Sequence, residues 1–354
     1  MAFGKIGLHV LRNGVKPADL ATAPCVCLVD CSAEYIHQVR AANPAAWIVV
    51  RWVYQGDQNA ALREPEKAAD TWWAERKGEI LATMGPRTVY QGLNEIGSGV
   101  SDLYVRYEAR RAGHLWGVGA GLGLGAWSVG EPDYHVWPAF WRVLQGMGAG
   151  DAILLHEYWA DPSDLDKRWY TARWTDERVW PMVRGHNIIV TECGRDAIWE
   201  NGRKRGQPGW RKTITADGFL MEVWRYEALL KMTPDVIGGC LFTGGVLGEW
   251  RDFDANQLWP RIVAAQEGAE EMDVETVLWE SVRQHLIPLN PGAALEKAAA
   301  ARGLLPASDE VRAQIGAEHW VAQAFRSPTA RGTLYLARCR EGRWGDIEWC
   351  EGRN

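Results

Sequence analysis

The sequence lacks the features by which nucleic-acid-binding, membrane and secreted proteins are most easily detected. Its 39 Lys and Arg are outnumbered by 45 Asp and Glu, and the net charge of −6 argues against nucleic acid as the main partner. No stretch approaches the roughly 18 apolar residues that a membrane span requires. The N-terminus has no charged start followed by an apolar run. We therefore expect cytoplasmic synthesis without a signal peptide, and release by lysis or a non-classical route if the protein acts outside the cell.

Phenylalanine is scarce and tryptophan is abundant. The 354 residues include 6 Phe and 21 Trp. A Trp side chain offers a broad, rigid apolar face with one N–H donor, and such faces stack well on the C–H surfaces of sugar rings. Any single Trp could simply fill the core, but the excess of Trp over Phe favours a tryptophan-rich carbohydrate cleft.

Three of the seven cysteines form a C-x-C-x3-C pattern like that of some metal sites. Cys25, Cys27 and Cys31 are all odd-numbered, however, and alternate residues share one face of a strand. Free cysteine is among the most buried residue types. The pattern therefore predicts small buried thiols and no metal.

Short apolar runs alternate with helical patterns along most of the chain. Several runs are nearly continuous in Val, Ile, Leu and Cys, which is typical of strands buried on both faces of a parallel sheet. Eight such runs indicate an α/β fold of the (β/α)8 TIM barrel type; a doubly wound open sheet is the alternative, since periodicity does not reveal closure. The predicted strands are residues 5–10, 25–29, 47–53, 88–93, 121–127, 152–158, 187–192 and 236–242, and the clearest predicted helices are residues 33–42, 64–84, 102–113 and 216–232.

A glycine-rich run at residues 117–127 matches part of the dinucleotide-binding pattern. Gly121, Gly123 and Ala126 fit the loose form G-x-G-x-x-A. Such a loop must follow a strand and open a helix, whereas here the glycines lie inside the apolar run. We therefore expect a tightly packed strand, and no organic cofactor is implied.

The composition changes beyond residue 265. The sequence predicts a barrel over residues 1–265 and a small C-terminal α+β accessory domain over residues 274–354, separated by an acidic stretch typical of a linker. The accessory domain is predicted to contain two helices followed by three strands. These are residues 274–284, 293–302, 319–325, 333–338 and 346–350.

Two predicted strands end near a carboxylate. The string QGLNEI places Glu95 after Asn94 at the fourth strand, and IIVTECG places Glu192 at the end of the seventh. A barrel collects its strand ends on one face, so these distant residues can meet. Cleavage of a glycosidic bond needs two carboxylates facing each other: one protonates the leaving oxygen and the other attacks the sugar carbon.

This pair resembles the site of the retaining glycoside hydrolases of clan A, the (β/α)8 superfamily of cellulases, mannanases, xylanases and β-glycosidases. In that clan the Glu after Asn on strand four is the acid/base, and the Glu ending strand seven is the nucleophile. The resemblance covers about residues 5–265. It implies that Glu95 and Glu192 are the catalytic residues and that Asn94 hydrogen-bonds the sugar 2-hydroxyl.

Further positions fit the same clan. The string LHEYW at the sixth strand places His156 and Tyr158 on one face, as the His-x-Tyr pair does in many clan members, where the Tyr can hydrogen-bond the nucleophile and the His can line the cleft. Arg51 at the third strand could hold the nucleophile ionised, since a nearby cation lowers the pKa of a carboxylate. His9 at the first strand end and Trp127 at the fifth are substrate-binding candidates from strand position alone.

The sequence departs from the clan pattern at two strands. Clan members often read Asn-Glu-Pro, whereas Ile96 follows Glu95 here. Many place a Trp on strand eight as a sugar platform, whereas this strand has Phe242 and Thr243. The loop after the predicted nucleophile is basic and could cap the cleft or meet an anionic polymer, although a solvated loop is the commoner interpretation. Its basic residues are Arg203, Lys204, Arg205, Arg211 and Lys212.

These features predict a retaining glycoside hydrolase that cleaves a β-linked oligo- or polysaccharide by double displacement. Two alternatives stay open. A lysin-like hydrolase of bacterial cell-wall glycan would fit the missing signal peptide, the appended domain and the basic loop. A non-catalytic carbohydrate-binding barrel would use the tryptophan-rich cleft without turnover.

Overall fold

The structure is a computed structural model that describes residues 4–200, 203–267, 295, 305–306, 311–315, 318–326, 334–340 and 347–351. The chain divides into two compact units, Met1–Glu267 and Gly268–Asn354. None of the helices described is long and apolar enough to cross a bilayer.

Eight parallel strands of the first unit form a closed barrel, which confirms the predicted (β/α)8 fold and rules out the open sheet. The barrel strands are β1 (Ile6–Leu11), β2 (Cys25–Val29), β3 (Trp47–Arg51), β4 (Thr88–Gln91), β5 (Gly121–Trp127), β6 (Ala152–Trp159), β7 (Asn187–Arg195) and β10 (Val236–Gly245), with a hairpin of β8 (Ile198–Glu200) and β9 (Arg203–Arg205) before the last. Each barrel strand pairs with the next one along the chain, and β10 closes the barrel against β1.

Helices occupy most connections between the barrel strands. They are α1 (Ala33–Ala42), α2 (Gln58–Ala61), α3 (Pro65–Thr83), α4 (Ser101–Gly117), α5 (Trp141–Gly146), α6 (Trp180–Val183), α7 (Ala216–Lys231) and α8 (Trp259–Glu267). Helix α1 begins after Ser32, whose side-chain oxygen accepts a hydrogen bond from the N–H of Tyr35. In the short β1-to-β2 connection, a 3-10 turn, Pro17–Leu20, takes the place of a helix.

The two faces of the barrel strands form separate cores, because successive side chains of a strand point to opposite sides. Ile48 and Val50 of β3 belong to the outer core that also contains buried residues of the helices, whereas Trp47 and Val49 point into the barrel. The interior is filled by side chains, as expected for eight strands. The inner residues are Cys25, Cys27, Val29, Trp47, Val49, Val89, Ala126, Ala152, Leu154, Ile189 and Cys240.

The cysteines of the C-x-C-x3-C pattern are buried, as predicted, but they do not share one face. Cys25 and Cys27 point into the barrel, where the Sγ atoms of Cys25 and Cys240 are 3.6 Å apart without a disulfide. Cys31 belongs to the outer core. The strand has ended before it, and Asp30 adopts a left-handed φ of 50°, so the alternation is broken.

A buried arginine fixes α4 to the strand that leads to the predicted acid/base. Arg111 donates hydrogen bonds to the carbonyl oxygens of Tyr90 on β4 and Gly123 on β5, each at 2.7 Å. Its charge is balanced by Glu108 one turn earlier, and both side chains are fully buried. A buried charge needs such a partner and such hydrogen bonds. The end of β4, from which the chain continues to Glu95, is thereby held in place.

The second unit contains an antiparallel sheet in which β11, β13, β14 and β15 are neighbours in that order and β12 pairs with β13. The three predicted strands correspond to β13, β14 and β15, and the predicted helices at 274–284 and 293–302 lie outside the described residues, apart from residue 295. The bounds are β11 (Leu305–Pro306), β12 (Val311–Ile315), β13 (Glu318–Arg326), β14 (Leu334–Arg340) and β15 (Glu348–Glu351).

Removal of the second unit tests where the barrel ends, and the boundary at residue 265 is still a prediction. A chain that ends at Glu267 should fold, because a barrel of about 250 residues buries a complete core. A chain that ends at Gln257 also loses Trp259 and Ile262 of α8, which are 3% and 0% exposed. It should be less stable by at least about 3 kcal/mol in urea unfolding. If the chain ending at Glu267 is insoluble, later residues belong to the packing of the barrel.

Candidate active site

Apart from Trp127, the predicted catalytic and cleft residues come from five parallel strands, β1, β3, β4, β6 and β7, whose C-terminal ends a barrel gathers on one face. Arg51 ends β3, and Glu95 lies four residues beyond the end of β4. His156 lies in β6 and Glu192 in β7. His9 lies in β1, beside β10 across the point where the barrel closes.

Glu192 reaches this face because β7 contains a bulge. Ile188 and Val190 point to the outer core, so regular alternation would send Glu192 there too. Leu155 of β6 pairs with Val190, but the next residue, His156, pairs with Glu192. One extra residue therefore enters β7 at this point, and it turns the Glu192 side chain to the same side as His156.

The Glu192 carboxylate is buried and is held by two donors. Arg51 Nη1 donates to Oε1 at 2.5 Å, and the Tyr158 hydroxyl donates to Oε2 at 2.7 Å. Burial alone would raise the pKa of Glu192, but electrostatic interactions with His156 and Arg51 and the Tyr158 hydrogen bond outweigh it and hold that pKa well below its usual value. Arg51 is the permanent cation of this group. Glu192 is therefore ionised at neutral pH.

Glu95 has a different environment. Its side chain is 44% exposed, and its nearest charged or ionisable partner is His156, with Nδ1 3.0 Å from Oε1. The backbone is left-handed at φ 55°, and the N–H donates to the carbonyl of Ala126 at 2.9 Å. A carboxylate oxygen of Glu95 and one of Glu192 lie within 4.8 Å of each other. Two carboxyl groups thus face each other, one buried beside a guanidinium and one open to solvent.

His9 is a neutral side chain beside the nucleophile candidate. Its Nε2 is 3.6 Å from Glu192 Oε1. The Thr243 hydroxyl oxygen is 2.8 Å from His9 Nδ1 and 3.1 Å from the His9 carbonyl oxygen, within hydrogen-bond distance of both. Burial lowers the pKa of His9 to about 3. The ring is therefore neutral at neutral pH, with one nitrogen a donor and the other an acceptor.

Each of the two histidines beside Glu192 buries a ring nitrogen. Within the described part of the chain, neither His9 Nε2 nor His156 Nε2 has a hydrogen-bond partner. Buried polar atoms are nearly always paired, so these two nitrogens are exceptions within the polar cluster around Glu192.

Asn94 is positioned by neighbouring amides. Gln91 Nε2 donates to Asn94 Oδ1 at 2.8 Å, and the Asn94 N–H donates to Gln58 Oε1 at 2.7 Å. The side-chain oxygen of Asn94 is therefore engaged, and its NH₂ group is the part that can donate to a ligand.

Trp127 does not belong to this group, which corrects the prediction that it binds substrate. It is 1% exposed and packs against Tyr104, Trp137 and Phe140 in the outer core. The cause is a second irregularity, in β5, where the register against β6 shifts between Gly125 and Trp127. Positive φ angles at Gly125 and Ala126 turn Ala126 into the barrel and Trp127 outward.

Asp196 is a third carboxyl near the site that the sequence analysis missed. It follows the last residue of β7, and burial, together with the charges of Glu95 and Glu192, raises its pKa to about 6. The signal that could have found it is its place one residue beyond the strand that carries Glu192.

Glu157, between His156 and Tyr158, points away from the cleft, as the alternation of β6 predicts. Its Oε2 accepts from the Tyr226 hydroxyl at 2.6 Å and its Oε1 from the N–H of Arg173 at 3.2 Å. Burial raises the pKa of Glu157 to about 7.

Glu95, His156 and Glu192 are close enough together to be considered as metal ligands. The donor set does not favour a cation, however. Both Glu192 oxygens already accept hydrogen bonds, one of them from the Arg51 guanidinium, whose charge would repel a metal ion. The arrangement suits acid–base and nucleophilic chemistry better.

The basic loop after β7 is largely neutralised within the protein. Arg205 pairs with Asp161 and Asp164. Arg211 pairs with Asp254 at 3.1 Å, and Lys212 pairs with Asp252 at 2.7 Å. These pairs reduce the attraction of the loop for an anionic polymer and so weaken one argument for the lysin-like alternative.

Neither the family models nor the curated proteins include a match to this chain.

The pairing of Arg51 with Glu192 predicts a pH-dependent stability difference. Arg51→Met leaves a buried carboxylate without its cation, so we expect the free energy of unfolding at pH 7 to fall by about 3 kcal/mol. The stability that ionised Glu192 contributes is complete above the pKa of an unfolded glutamate, about 4.3, and is lost as the pH falls through its lower folded pKa. The difference in the free energy of unfolding between the wild type and Arg51→Met should therefore become smaller below about pH 4 in urea titrations.

The control is Arg178→Met, which removes an arginine that is 56% exposed and pairs with Asp176. It should cost less than about 1 kcal/mol. A loss of unfolding free energy in Arg51→Met that stays constant from neutral to acid pH would contradict the assigned ion pair.

Proposed function

We propose that this chain is a retaining glycoside hydrolase that acts on a β-linked glycan. The observation that carries the proposal is the approach of the Glu95 and Glu192 carboxylate oxygens to within 4.8 Å. Retaining enzymes hold their two carboxyl groups about 5–5.5 Å apart, whereas inverting enzymes leave about 6.5–9.5 Å for a water molecule. The closed barrel and the different environments of the two glutamates are compatible with this reaction.

In the first step Glu192 is the nucleophile. Its ionised oxygen forms a bond to the anomeric carbon while the bond to the leaving oxygen breaks, and Glu95 gives its proton to that oxygen. Arg51 and Tyr158 keep Glu192 unprotonated and oriented, since both donate to it. His156 contacts both glutamates, at 3.0 Å from Glu95 and 3.5 Å from Glu192.

In the second step the same residues reverse their roles. Glu95, now a carboxylate, takes a proton from water, and the water oxygen bonds to the anomeric carbon as the bond to Glu192 breaks. The free sugar has the configuration of the substrate. Asn94 has its NH₂ group left to donate to the sugar 2-hydroxyl, an interaction that strengthens in the transition state.

Substitution of Glu192 separates a hydrolase from a sugar-binding barrel. Glu192→Ala removes the nucleophile and leaves the rest of the cleft, so turnover should fall by at least about 10³-fold while glycan binding survives. Azide should partly restore the reaction and give a glycosyl azide of inverted configuration, because a small anion can fill the vacated space. Product release from polysaccharides and aryl glycosides is the measurement.

The matched control is Glu157→Gln, which changes a buried glutamate on the neighbouring strand that faces away from the cleft. It should keep activity within about threefold. Full activity of Glu192→Ala, or no turnover by the wild type on any glycan, would end the hydrolase proposal; binding without turnover would leave the carbohydrate-binding barrel.

Glu95→Ala should depend on the leaving group. Aryl glycosides with acidic phenols need little protonation, so their first step should be spared, whereas natural glycans should lose about 10²–10⁴-fold in rate. The pH–rate profile of the wild type should have two limbs, and its alkaline limb should disappear in Glu95→Ala. A wild-type profile with one limb would count against the assignment of this pair.

A further inference from the structure

The chain leaves the barrel sheet before it reaches Glu95. The last pair of the ladder between β3 and β4 joins Val50 to Tyr90, and β4 ends at Gln91. Asn94 and Glu95 therefore lie beyond this ladder. Their backbone N–H and C=O groups need hydrogen-bond partners other than those that a paired strand would supply.

One side chain from the loop after β3 supplies two of these partners. Gln58 Oε1 accepts from the N–H of Asn94 at 2.7 Å, and Gln58 Nε2 donates to the carbonyl oxygen of Asn94 at 3.1 Å. A side-chain amide carries an acceptor and a donor on one rigid plane. It can therefore bond both backbone groups of one residue, as an opposing residue does in a hydrogen-bonded pair of antiparallel strands.

Gln58 is itself held in place because it is the first residue of the short helix α2. The side chain of Asp57 caps this helix and accepts from the N–H groups of Asn59 and Ala60, at 2.9 Å and 3.1 Å. The Gln58 carbonyl accepts from the N–H of Leu62, a fully buried residue, at 3.1 Å. The amide that bonds Asn94 thus projects from a fixed turn of helix.

Glu95 depends on such support because its backbone conformation is uncommon. Its φ of 55° lies in the left-handed region, which residues other than glycine seldom adopt and keep only where the surroundings fix them. The Ala126 carbonyl accepts from the Glu95 N–H at 2.9 Å on the β5 side, and Gln58 fixes the preceding residue on the β3 side. These contacts direct the Glu95 side chain to His156, whose Nδ1 is 3.0 Å from Oε1.

We propose that Gln58 is a positioning residue for the acid/base of the reaction. It holds the backbone of Asn94, and through it the Glu95 carboxyl, where a proton can be passed to the leaving oxygen. Proton transfer depends strongly on position, and a displacement of about 1 Å can cost about 10²-fold in rate. The proposal rests on the hydrolase function proposed above and adds to it a residue that acts through the backbone of its neighbour.

Gln58→Met tests the proposal, because Met has nearly the length and shape of Gln and makes neither hydrogen bond. A misplaced general acid matters most where the leaving oxygen needs a proton. We expect kcat/KM, which reports the first step, to fall about 10- to 10²-fold on natural glycans. On aryl glycosides with acidic phenols it should stay within about threefold of the wild type. Equal losses on both classes of substrate would show a general effect on the fold and overturn the proposal.

Gln58→Glu adds a pH dependence and keeps the comparison possible if Gln58→Met does not fold. A protonated carboxyl has a donor and an acceptor, as the amide has, whereas a carboxylate can only accept. The rate of this variant on natural glycans, relative to the wild type, should therefore rise as the pH falls through about 4.3, the ordinary pKa of glutamate. A ratio that does not change with pH would overturn the role of the hydrogen bond to the Asn94 carbonyl.

Gln55→Met is the matched control. Gln55 is an exposed glutamine of the same loop, and its Nε2 is 3.5 Å from the carbonyl oxygen of Val53. Its replacement removes the same amide at a position that does not contact Asn94 in the structure. Both classes of substrate should be cleaved at the wild-type rate, and a loss like that of Gln58→Met would overturn the assignment to Gln58.

Amide hydrogen exchange separates this proposal from the hydrolase function. Gln58→Met should speed exchange of the Asn94 and Glu95 N–H groups at least about tenfold, whereas Gln55→Met should not. If the wild type turns over no glycan, this local loss of protection would uphold the positioning role while the hydrolase fails. Unchanged exchange of both N–H groups would overturn the positioning role even if the hydrolase is confirmed.

Discussion

The candidate site depends on one buried ion pair, that between Arg51 and Glu192. Removal of a carboxylate from water favours its protonated form, so without a cation Glu192 would take up a proton and lose its nucleophilic character. Arg51 prevents this from inside the same buried region, and Tyr158 occupies the second oxygen. Glu95 has a histidine neighbour and solvent in place of a guanidinium. One fold thus gives two glutamates different chemistry through their surroundings alone.

The positions of the strands could be predicted from the sequence because their apolar runs are nearly continuous. The predicted bounds of β2 and β5 are those observed, whereas β7 and β10 extend three residues further, to Arg195 and Gly245, in stretches where hydrophobic pattern gives no signal. Closure of the barrel was not readable from periodicity, since it depends on β10 meeting β1 across the whole chain. The count of eight apolar runs favours a barrel, whereas the resemblance to clan A identifies the residues expected to meet at its end.

Two local irregularities explain why the side chains were harder to predict than the strands. Alternation is a reliable guide along a regular strand, and it correctly separates Glu157 from His156 and Tyr158 on β6. On β7 and β5, one extra residue near the end of the strand reverses the side of the sheet to which the following side chains point. The bulge brings Glu192 to the cleft, while the irregularity in β5 takes Trp127 away from it. Neither irregularity follows from the composition of the chain.

The hydrogen bond between His9 and Thr243 joins the first strand of the barrel to the last, right beside Glu192. The order in which a ribosome makes the chain therefore matters. Arg51, Glu95, His156 and Glu192 are all synthesised before Thr243, so the growing chain can contain these four residues and still lack the hydroxyl that contacts His9. The complete arrangement exists only when β10 pairs with β1, so the surroundings of Glu192 depend on closure of the barrel.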